Sequence, residues 1–460
     1  MQPSRRRFLR TAGLAGATLL AGCGSDGGDG PAANGTTETA TGSPTRTPDA
    51  ALDAAARQFV ERLAAGEYEA AREQFAPGLA SQVSADRLDQ LWAGLVDERG
   101  PFVEIASAET TTVQGFDAVL VTAQFSRARQ VIRVVFDGEG RVAGLQFLQT
   151  DQGTYAPPEY ADRSAFTEVS RTIEATEACS LPATLSLPTG EGEVPAVVVV
   201  HGSGPVDRDG TVGATKPYRD LAWGLATRGV AVLRYEKRTA ACEVDLGNLT
   251  VDDEVTDDAV AAVDLLRGEE RVDSGRIAVV GHSLGGMLAP RIVAQSRAAG
   301  MVALAAPARP LVDLLVEQVR YLAELDGSVS DAERERIEAV EAAAERVRTL
   351  DVGDGELVLG APRSYWESLR TYDPVATAAD LDVPRAFLQG GRDYQVTVEG
   401  DFERWREALG GQANVAFTRY PELNHLFVAG EGPPRPAEYY DPGNVDERVV
   451  VDVAERVSAL

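Results

Sequence analysis

Residues 276–289, Arg-Ile-Ala-Val-Val-Gly-His-Ser-Leu-Gly-Gly-Met-Leu-Ala, join an apolar strand-like run to an apolar helix-like run through a serine flanked by glycines. The β-branched residues before Gly281 are typical of a buried parallel strand. The pattern Gly-x-Ser-x-Gly predicts a sharp strand-to-helix turn, because a side chain at either glycine would collide with neighbouring strands. Such a turn lifts the Ser283 hydroxyl above the sheet, at a helix N-terminus. We therefore interpret Ser283 as a nucleophile in an α/β fold.

Strands and helices alternate on both sides of this turn. Apolar runs and helical periodicity predict strands at 196–200, 230–234, 276–280, 301–306, 385–389 and 415–420, and helices at 255–266, 284–294 and 445–460. The alternation predicts a mostly parallel sheet covered on both faces, in a domain spanning 160–460. Residues 309–371 interrupt it with a long, charged, helical stretch, which is typical of a cap inserted over a site.

A serine nucleophile needs a base, and the chain has 3 histidines. His282 lies inside the turn, and its side chain is expected to point away from Ser283. His201 ends a predicted strand, where we expect it to orient the following loop. His425 follows the last predicted strand and comes after Ser283 in the chain, so we interpret His425 as the base.

The imidazole in turn needs a carboxylate to orient it. Asp393 comes directly after a predicted strand, at the edge of a parallel sheet where active sites lie. The order Ser283, Asp393, His425 is that of one class of α/β enzymes and differs from the orders in chymotrypsin and subtilisin. Asp373 and Asp401 are rival carboxylates, but neither ends a predicted strand.

A tetrahedral intermediate needs two N–H donors for its oxyanion. The backbone N–H of Leu284, directly after the nucleophile, is the first candidate. The second is the N–H of Ser203 or of Gly202, in the loop His-Gly-Ser-Gly-Pro that follows the strand ending at His201. Glycines in that loop let the backbone approach the oxyanion.

Several segments together resemble one family, the α/β-hydrolase esterases related to dienelactone hydrolase and to the prolyl-oligopeptidase-like clan. The resemblance rests on the turn at Ser283 and on the segments 201–205, 207–209, 216–222 and 234–238. It covers about residues 165–460 and implies a carboxylesterase that acts on small acyl esters. Because the nucleophile is serine and not cysteine, the lactone substrate is not carried over.

Two other readings of the same residues stay open. One is a peptidase or a thioesterase that uses the same triad. The other is an inactive binding lipoprotein, although the presence of every triad member favours an active enzyme.

A smaller unit precedes the catalytic domain, at residues 50–150. Helical periodicity begins at Ala51 and gives way after Gly100 to strands of period two, which predicts a small α+β domain. The unit resembles nuclear-transport-factor-like domains, and more closely a small domain of unknown function that precedes some secreted esterases. It contains neither histidine nor cysteine, so we expect it to serve as a spacer or as a wall of the neighbouring site.

The N-terminus has the pattern of an export signal. Paired arginines at 5–7 precede a short apolar stretch and the residues Leu-Ala-Gly-Cys at 20–23. The arginines resemble a twin-arginine signal, and the second motif resembles a lipobox. We expect residues 1–22 to be removed, Cys23 to be lipidated, and 23–49 to be a flexible linker. The enzyme would then be extracytoplasmic, held by its lipid to the outer face of the membrane; an unlipidated secreted protein is the alternative.

The chain is strongly acidic, with a formal charge of −27 and only two lysines, Lys216 and Lys237. Such a charge repels phosphates, so we expect no nucleic-acid partner. The composition resembles that of halophilic archaeal proteins, in which concentrated salt screens the repulsion between carboxylates.

Two cysteines remain after Cys23, namely Cys179 and Cys242. Outside the cell they could form a disulfide, and two buried free thiols are the alternative. No Cys/His cluster has the spacing of metal ligands, and no glycine-rich loop predicts a phosphate site. We therefore expect neither a metal nor a cofactor. The family resemblance implies that the substrate is a small-molecule ester.

Overall fold

The computed structural model describes residues 18–19, 49–80, 82–99, 102–113, 116–125, 129–148, 155–176, 179–325, 327–329, 331–439 and 441–460. The predicted signal, the linker and the lipidation site Cys23 lie outside these residues, apart from Thr18, Leu19 and Asp49. The chain divides into two compact units, Met1–Gln152 and Gly153–Leu460.

The smaller unit combines helices with one antiparallel sheet. Its helices are α1 (Asp49–Ala64), α2 (Tyr68–Arg72), α3 (Pro77–Ala80) and α4 (Ala85–Arg99), and its strands are β1 (Thr18–Leu19), β2 (Phe102–Val113), β3 (Phe116–Phe125), β4 (Arg129–Phe136) and β5 (Val142–Leu148). The strand order is β1-β5-β4-β3-β2. The core contains aromatic contacts such as that of Trp92 with Phe125, whose ring centroids lie 5.4 Å apart. The unit therefore has a hydrophobic core of its own.

The larger unit begins with a hairpin and then alternates strands and helices. Its strands are β6 (Phe166–Thr176), β7 (Cys179–Pro188), β8 (Val194–Val200), β9 (Ala231–Tyr235), β10 (Val272–His282), β11 (Gly300–Leu304), β12 (Arg385–Gly390) and β13 (Val415–Tyr420). Its helices are α5 (Pro217–Thr227), α6 (Arg238–Ala241), α7 (Asp257–Arg267), α8 (Leu284–Ser296), α9 (Leu311–Glu324), α10 (Asp331–Arg348), α11 (Arg363–Arg370), α12 (Pro374–Ala379), α13 (Glu403–Leu409) and α14 (Glu447–Ser458).

The sheet order in this unit is β13-β12-β11-β10-β8-β9-β7-β6. The strands from β13 to β9 are parallel, whereas β7 pairs in an antiparallel manner with both of its neighbours, β9 and β6. Alternate residues of β8 enter different cores, Val198 on one face of the sheet and Val197 on the other. A strand buried on both faces explains the uninterrupted apolar run in the sequence. The predicted mostly parallel α/β class with a separate small α+β domain is confirmed.

The hairpin of β6 and β7 is absent from the strands predicted from the sequence. Polar residues alternate with apolar ones along β6, and most of its side chains are exposed or half-buried. A half-solvated edge strand lacks the continuous apolar run that marks a buried strand.

Helices α9, α10 and α11 fill the long connection between β11 and β12, within the predicted insertion at 309–371. Arg309, just before α9, donates to the buried carboxylate of Asp401 at 3.0 Å. That bond fixes the start of the insertion to the rest of the unit. In the described part of the chain, no helix combines the length and the apolar character needed to cross a bilayer.

Candidate active site

Ser283 occupies a strained turn between β10 and α8. Its backbone has φ 54° and ψ −119°, a combination that non-glycine residues rarely adopt. A Cβ added to Gly281 would overlap the carbonyl of Gly285, and one added to Gly285 would lie 2.5 Å from the carbonyl oxygen of Val200. Neighbouring backbone carbonyls come so close to both glycines of the motif that neither position has room for a side chain. Ser283 itself is half-buried.

The His425 imidazole is bonded to the Asp393 carboxylate. His425 Nδ1 lies 2.7 Å from Asp393 Oδ2, and both side chains are almost fully buried. The second carboxylate oxygen accepts from the backbone N–H groups of Gln395 and Val396, at 2.8 and 3.0 Å. Gln389 Nε2 donates to Oδ2 at 3.1 Å. Because a carboxylate accepts the Nδ1 proton, Nε2 of the neutral ring is left with its lone pair, as a general base requires.

The two rival carboxylates are engaged elsewhere. Asp373 caps α12 and accepts from the N–H groups of Val375 and Ala376, at 3.0 and 2.9 Å. Asp401 is paired with Arg309. The structure thus brings Asp393, and neither rival, to His425.

His282 connects the turn to the loop that carries His425 and to helix α5. Its Nε2 lies 2.9 Å from the backbone oxygen of His425, and its Nδ1 lies 3.0 Å from the hydroxyl of Tyr218. A carbonyl only accepts, so Nε2 of His282 carries the proton, and Nδ1 accepts from the Tyr218 hydroxyl. Burial and the neighbouring His425 lower the pKa of His282 to about 3. His282 is therefore neutral at physiological pH, as this bonding pattern requires.

His201 joins the ends of two neighbouring strands. Its Nε2 lies 2.7 Å from the carbonyl oxygen of Tyr235, which ties the end of β8 to the end of β9. Burial, followed by the charge of Lys237, lowers the pKa of His201 to about 3.

The loop after His201 lies against the nucleophile. A Cβ added to Gly202 would come within 3.3 Å of the Ser283 Cβ. The N–H of Gly202 already donates to the Tyr218 hydroxyl at 3.1 Å, so it is not free for an oxyanion. Of the two alternatives left by the sequence, this favours Ser203 over Gly202. Leu284 is the first residue of helix α8, and the first N–H groups of a helix have no intrahelical acceptor. Its N–H is therefore not used within the helix.

Helix α9 of the insertion packs against the loop that follows Asp393. Tyr321 stacks on Tyr394, with ring centroids 5.1 Å apart and an angle of 14° between the ring planes. Gln318 Nε2 donates to the carbonyl oxygen of Gln395 at 3.0 Å. The predicted cap is thus in contact with the segment that carries the candidate carboxylate.

The chain is similar to known proteins of one family. Residues 197–441 match the model described as the Alpha/beta hydrolase family. This chain belongs to the alpha/beta hydrolase family. The hydrolase is 40% identical over 404 residues to Esterase EstD of Thermotoga maritima, a match that covers 88% of this chain and 95% of the relative. Residues 56–145 match a protein of unknown function, DUF3887, in agreement with a separate small domain.

Solved structures similar to the hydrolase share little sequence with it. The acylaminoacyl peptidase of Pyrococcus horikoshii has a TM-score of 0.44 and 14% identity, over 78% of this chain and 56% of that one. Est1E of Butyrivibrio proteoclasticus has a TM-score of 0.40 and 17% identity, over 63% of this chain and 99% of that one.

Tyr218 and Asp209 support the site but were not predicted as site residues from the sequence. Tyr218 holds Gly202 and His282, as described above. Asp209 forms ion pairs with Arg234 and Arg219, and those pairs anchor the loop that contains Gly202. Both residues lie in segments that carried the family resemblance, which was the only signal for them; nothing in their spacing indicated a contact.

A disulfide joins Cys179 to Cys242, with 5.9 Å between the Cα atoms. It links the start of β7 to the residue that follows α6. Within the described residues, no group of three or more His, Cys, Asp or Glu side chains is arranged to hold a metal ion.

Proposed function

We propose that this hydrolase is a serine carboxylesterase that cleaves small acyl esters through an acyl-enzyme intermediate. Ser283 is the nucleophile, His425 the general base and Asp393 the carboxylate that orients it. The observation that carries the proposal is the bond from His425 Nδ1 to Asp393 Oδ2, at 2.7 Å, in a chain with a strained serine turn. The 40% identity to Esterase EstD supports an ester as the substrate.

In the first step Ser283 Oγ attacks the ester carbonyl while His425 takes the hydroxyl proton. The oxyanion is stabilised by the N–H groups of Leu284 and Ser203. The tetrahedral intermediate then collapses, and His425 gives its proton to the departing alcohol. Water attacks the acyl-enzyme with His425 again as base, and the carboxylic acid leaves as Ser283 recovers its proton.

The experiment is a panel of aryl esters of increasing acyl length, with an aryl thioester and an aminoacyl anilide measured beside them. We expect kcat/KM to be highest for a short or medium ester and to fall by about 10⁴–10⁶-fold in Ser283→Ala. Preference for the anilide or the thioester would instead identify a peptidase or a thioesterase. A folded wild type inactive on every substrate would indicate a binding lipoprotein.

We also propose that the enzyme is exported and anchored outside the membrane by a lipid on Cys23. The paired arginines and the sequence Leu-Ala-Gly-Cys at 20–23 support this. The Cys179–Cys242 disulfide is consistent with an oxidising compartment. Cys23→Ser should move the protein from the membrane fraction to the medium, whereas lysines in place of the arginines at 5–7 should keep it inside. Wild type found at full yield in the medium would contradict the anchor.

A further inference from the structure

Lys237 is a buried cation beside the loop that faces the nucleophile. Its relative exposure is 1%, although it is one of only two lysines in the chain. A buried ammonium is costly unless its donors are satisfied. Lys237 Nζ donates to the carbonyl oxygen of Gly202 at 2.8 Å and pairs with Glu254 Oε1 at 2.8 Å. The other oxygen of Glu254 accepts from the Tyr365 hydroxyl at 2.9 Å, so the carboxylate is also held.

The carbonyl of Gly202 and the N–H of Ser203 belong to the same peptide group. That group is planar and trans, so its N–H points in the direction opposite to its C=O. A donor that fixes the Gly202 carbonyl therefore also fixes the direction of the Ser203 N–H. The other side of Gly202 is fixed as well, because its own N–H is held by Tyr218 at 3.1 Å.

The charge of Lys237 also acts on this peptide. A cation on a carbonyl oxygen polarises the amide and makes its N–H a stronger donor. In addition, the backbone N–H of Lys237 donates to the carbonyl oxygen of Val206 at 3.2 Å, so one residue holds the loop at two points. A lysine suits this place because its ammonium is a compact charge, whereas the guanidinium of arginine is a broad planar fork.

We propose that Lys237 is a positioning residue for the oxyanion hole: by binding the Gly202 carbonyl it aims and strengthens the Ser203 N–H. The inference rests on the proposed function, since it assumes that Ser283 attacks a carbonyl. Lys237 does not touch the reacting atoms. A purely structural buried pair would affect folding and leave catalysis unchanged, and the test separates these two roles.

The test removes the charge pair as a whole, in Lys237→Met/Glu254→Gln, so that no buried carboxylate is left unpaired. The matched control is Arg238→Met/Asp258→Asn, which removes a similarly buried ion pair one residue further along the chain. Each protein is assayed for kcat and KM on a short aryl ester and for the rate at which a fluorophosphonate modifies Ser283. In that modification Ser283 Oγ gives its proton to His425, bonds to phosphorus and displaces fluoride. The phosphoryl oxygen occupies the oxyanion hole as the bond forms, so the rate reports on the hole without an acyl group.

Removing one oxyanion donor costs roughly 10²–10³-fold in rate, so misdirecting one should cost about 10–100-fold. We expect that loss in kcat and in phosphonylation for the Lys237 variant, with KM within threefold of wild type. The control should lower Tm alone. A folded Lys237→Met/Glu254→Gln protein with both rates within twofold of wild type would overturn the inference while leaving the esterase proposal intact.

Lys237→Arg provides a second measurement if the double variant does not fold. It keeps the charge opposite Glu254, but its planar guanidinium cannot occupy the position of the ammonium. It should lose at least about threefold in phosphonylation rate, and an unchanged rate would contradict the proposal. A wild type that neither hydrolyses esters nor reacts with the phosphonate would overturn the proposed function, and this inference with it.

Discussion

His282 Nε2 donates to the backbone carbonyl of His425 at 2.9 Å, so the residue before the nucleophile binds the loop that carries the candidate base. Asp393 holds the same loop through the imidazole, at 2.7 Å. The base is thus fixed from two sides, by its ring and by its backbone. Both contacts are made by residues at the carboxyl ends of parallel strands, where neighbouring loops meet.

Asp393→Asn should abolish most activity without unfolding the protein. The asparagine oxygen can keep the bonds from the N–H groups of Gln395 and Val396, which then turns its NH₂ toward His425 Nδ1. An NH₂ group cannot accept the Nδ1 proton, so the ring holds its proton on Nε2 and loses its basic lone pair there. We expect kcat to fall about 10⁴-fold.

The control for this variant is Asp373→Asn, at the N-cap of α12, where asparagine also caps well. Its kcat should stay within about twofold of wild type. Ser283→Ala and His425→Ala should lower kcat by about 10⁴–10⁶-fold. Near-normal turnover in folded His425→Ala would show that another group is the base.

Local pattern was enough to predict two features that the structure contains. The turn at Ser283 follows from two glycines between a strand and a helix, and the pairing of His425 with Asp393 follows from a choice among three histidines and a carboxylate after a strand. The catalytic roles of these residues stay predictions. The choice between Gly202 and Ser203 could not be made, because it depends on the bond that the Gly202 N–H donates to Tyr218, which lies 16 residues away on another element. Burial of Lys237 was equally invisible, since its partner Glu254 is brought to it only by tertiary packing.

Acid should destabilise the enzyme partly through its buried histidines. The pKa of His201 is about 3 in the folded protein, against about 6.5 in an unfolded chain. Above pH 6.5 neither state binds the proton, and stability is unaffected. Between pH 6.5 and 3 the unfolded state binds it and the folded state does not, so stability falls by about 1.4 kcal/mol per pH unit.

His201→Gln tests this slope, because the amide can still donate to the Tyr235 carbonyl and does not titrate. The variant should be somewhat less stable at pH 7, by about 1–2 kcal/mol, since its fit is imperfect. Its free energy of unfolding, measured by urea titration from pH 7 to 4, should fall less steeply than that of wild type. Parallel slopes would show that His201 does not contribute.

Reduction should destabilise the protein, because the disulfide closes a long loop. Cys179 and Cys242 are 63 residues apart, and the entropy removed from the unfolded chain corresponds to about 4 kcal/mol. A loss of that size should lower Tm by about 10 °C. Cys179→Ser/Cys242→Ser should melt at the temperature of reduced wild type and be insensitive to reductant. An unchanged Tm on full reduction would contradict the expected stabilisation.

Helix α9 should control acyl-chain preference. Leu315 is half-buried on this helix and Tyr321 stacks over the loop after Asp393, whereas Leu314 is 1% exposed and serves packing. Leu315→Ala and Tyr321→Ala should change the ratio of kcat/KM between a long and a short ester by about tenfold, while activity on the shortest ester changes little. Glu335→Ala on the exposed side of α10 is the control. Unchanged selectivity in both variants would show that α9 does not line the acyl pocket.

Salt should stabilise the enzyme strongly, because its 71 Asp and Glu residues far outnumber its 44 Lys and Arg residues. The formal charge is −27, and removal of the proposed signal at residues 1–22 would take away four arginines and bring it to −31. Lys237 is buried, so Lys216 is the only lysine left near the surface. At about 0.01 M salt the Debye length is about 30 Å, and nearly all surface carboxylates repel one another.

That repulsion opposes a native state whose stability is only about 5–15 kcal/mol. Tm and ester turnover should therefore both rise steeply with KCl up to molar concentration, and sulfate should stabilise further by favouring apolar burial. Acid cannot fully replace salt. Protonation of carboxylates relieves their repulsion, but below pH 6.5 the unfolded chain binds protons at His201 and His282, whose pKa values are about 3 in the folded protein. This proton binding favours the unfolded state. Acid also cannot restore activity, because His425 must be neutral to act as base. Melting curves from 0.05 to 3 M KCl, with turnover measured beside them, test the prediction, and a Tm independent of salt would show that the acidity has another cause.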